Sequence, residues 1–166
     1  MRRPRVLHTC RGLALLAALV PLAACGTGTT ALPAAEAVAH YETLVDELED
    51  VLSDDGASWQ LAEDTRKVTD EGGSCLFTPG TWDPEAPLPA PDGEEGWNAR
   101  ITSVSTVVEA HGFAPIEDVT AQGSRSVLET TDEHGATLVI TAEGRIRLWE
   151  AAVDAEPCSA GSLGIS

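Results

Sequence analysis

Apolar and polar positions change period several times along the chain, and each change marks an element. The first apolar run, Gly12 to Val20, is continuous and nine residues long, about 14 Å as a helix. A bilayer core needs about twenty residues, so this run has the length of a signal-peptide core. From Ala34 to Leu52 the period is helical. Val38, Tyr41, Leu44, Val45, Leu48, Val51 and Leu52 recur every three or four positions, with Glu42, Asp46, Glu47, Glu49 and Asp50 between them. Gly56 is a suitable stop. A second helix is predicted from about Glu94 to His111, with Trp97, Ile101, Val104, Val108 and His111 as its stripe. Asp92 and Glu95 form a candidate capping pair and Gly112 the terminal glycine.

Period-two patterns fill most of the rest. Trp59–Leu61, Thr65–Thr69 and Ser74–Thr78 read as strands, with Pro79-Gly80 ending the last. Trp82 to Gly93 holds four prolines and reads as an irregular connection. Arg125–Thr131, Ala136–Thr141 and Arg145–Glu150 read as a meander turning at Asp132–Gly135 and Ala142–Gly144. In the last strand Ile146 and Leu148 share one face, and Arg145, Arg147 and Trp149 the other. The predicted fold is α+β: two amphipathic helices packed on a small antiparallel sheet that ends in a three-stranded meander.

The N-terminus changes what this domain is attached to. Arg2, Arg3, Arg5 and Arg11 precede the apolar run, and no acid precedes Glu36. Leu22-Ala23-Ala24-Cys25, followed by Gly26, resembles the lipobox of bacterial lipoproteins. The resemblance implies a signal peptide at 1–24 that is removed. It also implies a lipid-modified Cys25, acylated more than once and so stably anchored. Residues 25–33 then read as lipidated cysteine and flexible tether, and 34–166 as a single extracytoplasmic domain at the cell membrane. The membrane lipid is the partner reached through Cys25.

Maturation sharpens the charge. Four of ten basic residues leave with the signal and all twenty-seven acids stay, so the formal charge falls from −17 to −21. That surface repels phosphate backbones, so no nucleic-acid partner is expected. It suits a cationic ligand or an envelope protein. Of four cysteines, Cys10 is discarded and Cys25 takes lipid. In an oxidising compartment Cys75 and Cys158 are expected to pair, worth roughly 4–5 kcal/mol by chain entropy.

Chemistry is sparse. No Gly-x-Ser-x-Gly, Ser-x-x-Lys, His-Glu-x-x-His, phosphate loop or dinucleotide fingerprint occurs, so no catalytic residue, cofactor or metal is assigned. Three histidines survive cleavage. His40 lies beside the first helix's stripe, and His111 stands at a helix C-terminus. His134 shares a turn with Asp132 and Glu133, a trio with metal- or proton-binding residue types, although turns collect polar residues for local reasons. Trp82, in the proline-rich connection, is the one candidate ligand contact.

Gly73-Ser74-Cys75, Trp97, Gly112-Phe113, Asp132 to Gly135 and Pro157-Cys158, together with the lipobox, resemble small actinobacterial lipoproteins of the LppA-like kind. That resemblance carries no catalytic residue. The resulting expectation is a non-enzymatic binding or accessory module of the cell envelope. The alternatives are an envelope hydrolase using acidic residues and a purely structural partner subunit.

Overall fold

The computed structural model describes residues 29–53 and 56–165. In chain order the elements are β1 (Leu32–Pro33), α1 (Ala34–Leu52), β2 (Trp59–Leu61), β3 (Lys67–Glu71), β4 (Ser74–Thr78) and β5 (Gly80–Pro84). There follow α2 (Gly93–Ala110), β6 (Thr120–Gln122), β7 (Arg125–Thr131), β8 (Thr137–Thr141), β9 (Ile146–Trp149) and β10 (Ala151–Asp154). The fold is α+β. The strands form a four-stranded sheet, β1-β10-β4-β3, and a six-stranded one, β2-β5-β9-β8-β7-β6.

The two sheets share a spine. Strands β4 and β10 pair antiparallel with Phe77 opposite Ala151, and β5 and β9 pair antiparallel with Gly80 opposite Leu148. These pairings lie on one continuous register, so a single long strand pair bends sharply and passes from one sheet into the other. On one side the bend falls at Pro79-Gly80. Gly80 has φ +134°, a conformation strained for any side chain, and a Cβ there would also push Leu61 Cδ1 aside from 2.6 Å, so the position favours glycine. On the other side it falls at Glu150, with φ 66°, a conformation unusual for a residue with a side chain.

Helix α1 follows its sequence pattern. Ala37, Tyr41, Leu44, Val45, Leu48 and Leu52 are buried, while Val51 is 39% exposed and sits off the stripe. Ser53 Oγ accepts from Ala57 N–H at 3.1 Å where the chain leaves the helix. In α2 only Val104, Val107 and Val108 are buried. Asp92 makes no side-chain cap, so the expected capping pair does not form. The other end is well closed. Phe113 N–H donates to Val108 O and Gly112 N–H to Glu109 O, with Gly112 at φ +82°, the double bond pattern of a Schellman stop.

Packing joins these parts. Tyr41, Leu44 and Leu48 from α1 and Val104 and Val108 from α2 share one core with Phe77, Leu128, Leu138, Ile140, Ile146 and Leu148 from the strands. The β7-β8-β9 meander forms with Leu138 opposite Leu148 and Ile140 opposite Ile146.

Several expectations need correction. Pro79-Gly80 does not end a strand; it bends one, and β5 runs on to Pro84, into the Trp82–Gly93 stretch expected to be irregular. Trp82, the candidate ligand contact, is 7% exposed and packs in the core, because β5 is an inner strand between β2 and β9. The assigned tether also starts to fold early. Leu32 is buried and β1 pairs in parallel with β10, Leu32 opposite Val153. An apolar side chain with a core to enter is held there, not left in solvent.

Candidate functional site

Two clusters of polar side chains among the described residues bear on function. The first is a corner where the three histidines meet. His40 comes from α1, His111 caps the end of α2, and His134 lies in the β7–β8 turn. The His40 ring centroid is 5.7 Å from that of His111 and 5.9 Å from that of His134, both edge-on.

Asp132 organises this corner. Its Oδ1 accepts from the backbone N–H groups of His134 at 2.9 Å and Ala136 at 2.8 Å. Its Oδ2 accepts from the Tyr41 hydroxyl at 2.8 Å. The carboxylate thus shapes its own turn and ties that turn to the helix core. Burial first, and then the Asp132 charge, raise the Tyr41 phenol well above its ordinary value, so it stays a donor.

Each imidazole has a different environment. His134 Nδ1–H donates to Thr30 O at 2.6 Å. His111 Nε2 lies 3.1 Å from Glu47 Oε2. His40 Nε2 is buried and has no hydrogen-bond partner among the described residues. Burial chiefly, followed by repulsion from His111 and His134, lowers the His40 pKa; Asp132 and Glu133 oppose the shift. The turn trio read from the sequence is therefore split: Asp132 builds the turn, His134 joins the other histidines, and Glu133 stays exposed with Oε1 4.0 Å from His134 Nε2. Among the described residues no group of three or more His, Cys, Asp or Glu is arranged to hold a metal ion.

The second place is a groove of about 400 Å³ on the strands, lined among others by Lys67, Thr69, Thr78, Thr81, Arg147 and Trp149. Ile146 and Leu148 point into the core, so alternation turns Arg147 and Trp149 outward. The Arg147 guanidinium carbon lies 5.1 Å from the Trp149 ring centroid, within cation–π range. Asp64, Glu71 and Glu150 also line it. Hydroxyls, an aromatic face and charges of both signs can hydrogen-bond and stack on a polar ligand.

Cys75 and Cys158 are bonded, with Cα atoms 5.5 Å apart, which fixes the C-terminal segment to β4. Cys25 and the signal segment 1–24 lie outside the described residues. Among the described residues no helix is long and apolar enough to cross a membrane. Among the described residues, the carboxylate of Glu49 has a raised pKa, from burial and then the neighbouring Asp46 and Asp50. It lines neither the groove nor the histidine corner.

The outward pair Arg147 and Trp149 is readable from period two. The histidine corner has no local signal, since its members lie 71 and 23 positions apart along the sequence. No protein-family model, no curated protein and no solved structure matches the chain.

Proposed function

We propose that the chain is a lipid-anchored, extracytoplasmic lipoprotein, similar to the small LppA-like actinobacterial kind, that works as a non-enzymatic binding module of the cell envelope. The groove over Arg147 and Trp149 carries the binding reading, because it offers recognition chemistry without a nucleophile held beside a base. The Cys75–Cys158 bond supports the compartment, since such bonds persist in oxidising surroundings. The lipobox at Leu22–Cys25 supports the anchor.

A polar envelope ligand, a saccharide or a short peptide, suits the groove's hydroxyls and its indole face. Titrating the protein with soluble muropeptides and following tryptophan emission tests this. A saturable change that disappears in Trp149→Ala is expected. No change with muropeptides or with fractionated envelope glycans and peptides, together with an unaltered envelope on gene deletion, would remove the reading.

A further inference from the structure

The histidine corner is also where the N-terminal segment is fastened. Two hydrogen bonds hold Thr30, and both come from one turn. Thr30 N–H donates to Glu133 O at 3.1 Å, and His134 Nδ1–H donates to Thr30 O at 2.6 Å. The same turn accepts the Ala152 N–H at His134 O, 2.8 Å, and Ala152 belongs to β10, the strand on which β1 lies.

We propose that His40, packed edge-on between His111 and His134, is the proton-operated element of a latch that holds Thr29 to Pro33 on the domain near neutral pH and releases it in acid. When neutral, the rings pack edge to face without mutual repulsion. A proton taken up by His40 places a positive charge within 6 Å of both neighbouring imidazoles, one of them in the turn that holds Thr30. Of the anions that face the corner, Glu47 and Asp132 are already committed, and Glu133 and Glu36 lie at its exposed rim. Glu47 on α1 serves His111. Asp132 accepts from the Tyr41 hydroxyl and two turn amides. Glu133 is exposed and reaches His134 Nε2 only at 4.0 Å. Glu36, from the first turn of α1, lines the shallow surface outside His40 and His111. The segment Thr29 to Pro33 itself carries no charge. That leaves His40, central and with a buried unpartnered Nε2, as the imidazole whose protonation is least compensated.

The direction of movement depends on which parts are fixed. His40 is carried by a helix whose neighbours Ala37 and Tyr41 are fully buried, so α1 does not yield. The turn meets solvent through Glu133 and is held to α1 by side-chain contacts, Asp132 with Tyr41 and the buried His134 with His40. It moves, and takes with it both anchors of Thr30. Burial and the neighbouring histidines lower the His40 pKa, which sets the release below about pH 6.5, the ordinary imidazole value. Freeing the four residues Thr30 to Pro33 adds up to about 13 Å of reach. That consequence at a membrane rests on the anchored reading, whereas the latch itself does not.

Hydrogen exchange on the full-length chain in detergent micelles tests the latch whether or not Cys25 is acylated. At pH 5.0, after correction for intrinsic exchange, amides in 29–33 are expected to exchange at least tenfold faster than at pH 7.5, while those of 137–141 keep their protection. His40→Leu is expected to keep 29–33 protected at pH 5.0. Should that variant not fold, His111→Gln at the rim of the cluster gives the same comparison, with release moved to lower pH. Equal protection at both pH values, release unchanged by either variant, or loss of 137–141 together with 29–33 would each overturn the proposal.

Discussion

The two ends of the described chain are both fastened to the four-stranded sheet, by opposite means. Near the C-terminus, Cys158 is covalently joined to Cys75 on β4, and Leu163 is buried beyond it. At the N-terminus, β1 has two residues on β10, two hydrogen bonds from one turn, and the buried Leu32. The first attachment is indifferent to pH and depends on redox state. The second, in the proposed latch, depends on the protonation of His40. One domain can thus keep a permanent staple and a reversible one on neighbouring strands, and only the reversible one lies on the side that leads towards Cys25.

The largest effect is expected from breaking the staple. Cys75→Ser with Cys158→Ser removes a cross-link that spans 83 positions, and should lower stability by about 2–5 kcal/mol in urea titration. An unchanged midpoint would show that the C-terminal segment is held by packing alone.

Next comes Gly80→Ala. It places a Cβ 2.6 Å from Leu61 Cδ1 at φ +134°. A loss of about 2–3 kcal/mol is expected from combined clash and backbone strain. Because the bend carries both sheets, this loss should appear as lower global stability and not as local fraying.

On the reversible side, Tyr41→Phe removes the donor to Asp132 Oδ2 and should cost about 1–2 kcal/mol by thermal melting. The pH dependence is a further test. His40 has a lowered folded-state pKa. The unfolded chain therefore binds more protons between that value and about 6.5. The stability contribution is complete above about pH 6.5 and is lost as pH falls towards the folded-state pKa. Tm should drop on acidification across that window, and the drop should be smaller in His40→Leu. A slope identical in both would assign the pH dependence to other groups.

The smallest effect is expected at Val51, the exposed member of the α1 pattern. Val51→Lys should change stability by no more than about 0.5 kcal/mol, whereas Leu48→Ala, one turn back and fully buried, should cost about 2–5 kcal/mol.

Much of the local structure was legible. The periodicity of α1 is a property of neighbouring positions, as are the Gly112 stop and the β7-β8-β9 meander, and all three appear in the fold. The division into two sheets was not legible. Pro79-Gly80 carries the signal of a strand end, yet the core on both sides makes it a bend. Glu150, a residue that rarely takes positive φ, gives no sign that β10 begins one residue later. Trp82 looked exposed because prolines follow it, but its partner strand β9 lies more than sixty positions away and covers it. The outward Arg147 and Trp149 could be read by alternation. The meeting of His40, His111 and His134 could not, because only the packing of α1 against the end of α2 and the β7–β8 turn makes them neighbours.

Detergent-phase partitioning of the full-length chain, expressed in a host that processes lipoproteins, tests the lipid anchor most directly. The wild-type protein should enter the Triton X-114 phase and show an intact mass equal to residues 25–166 plus acyl groups. Cys25→Ala should stay in the aqueous phase. A wild-type protein that stays aqueous and carries no acyl mass would contradict the anchored reading.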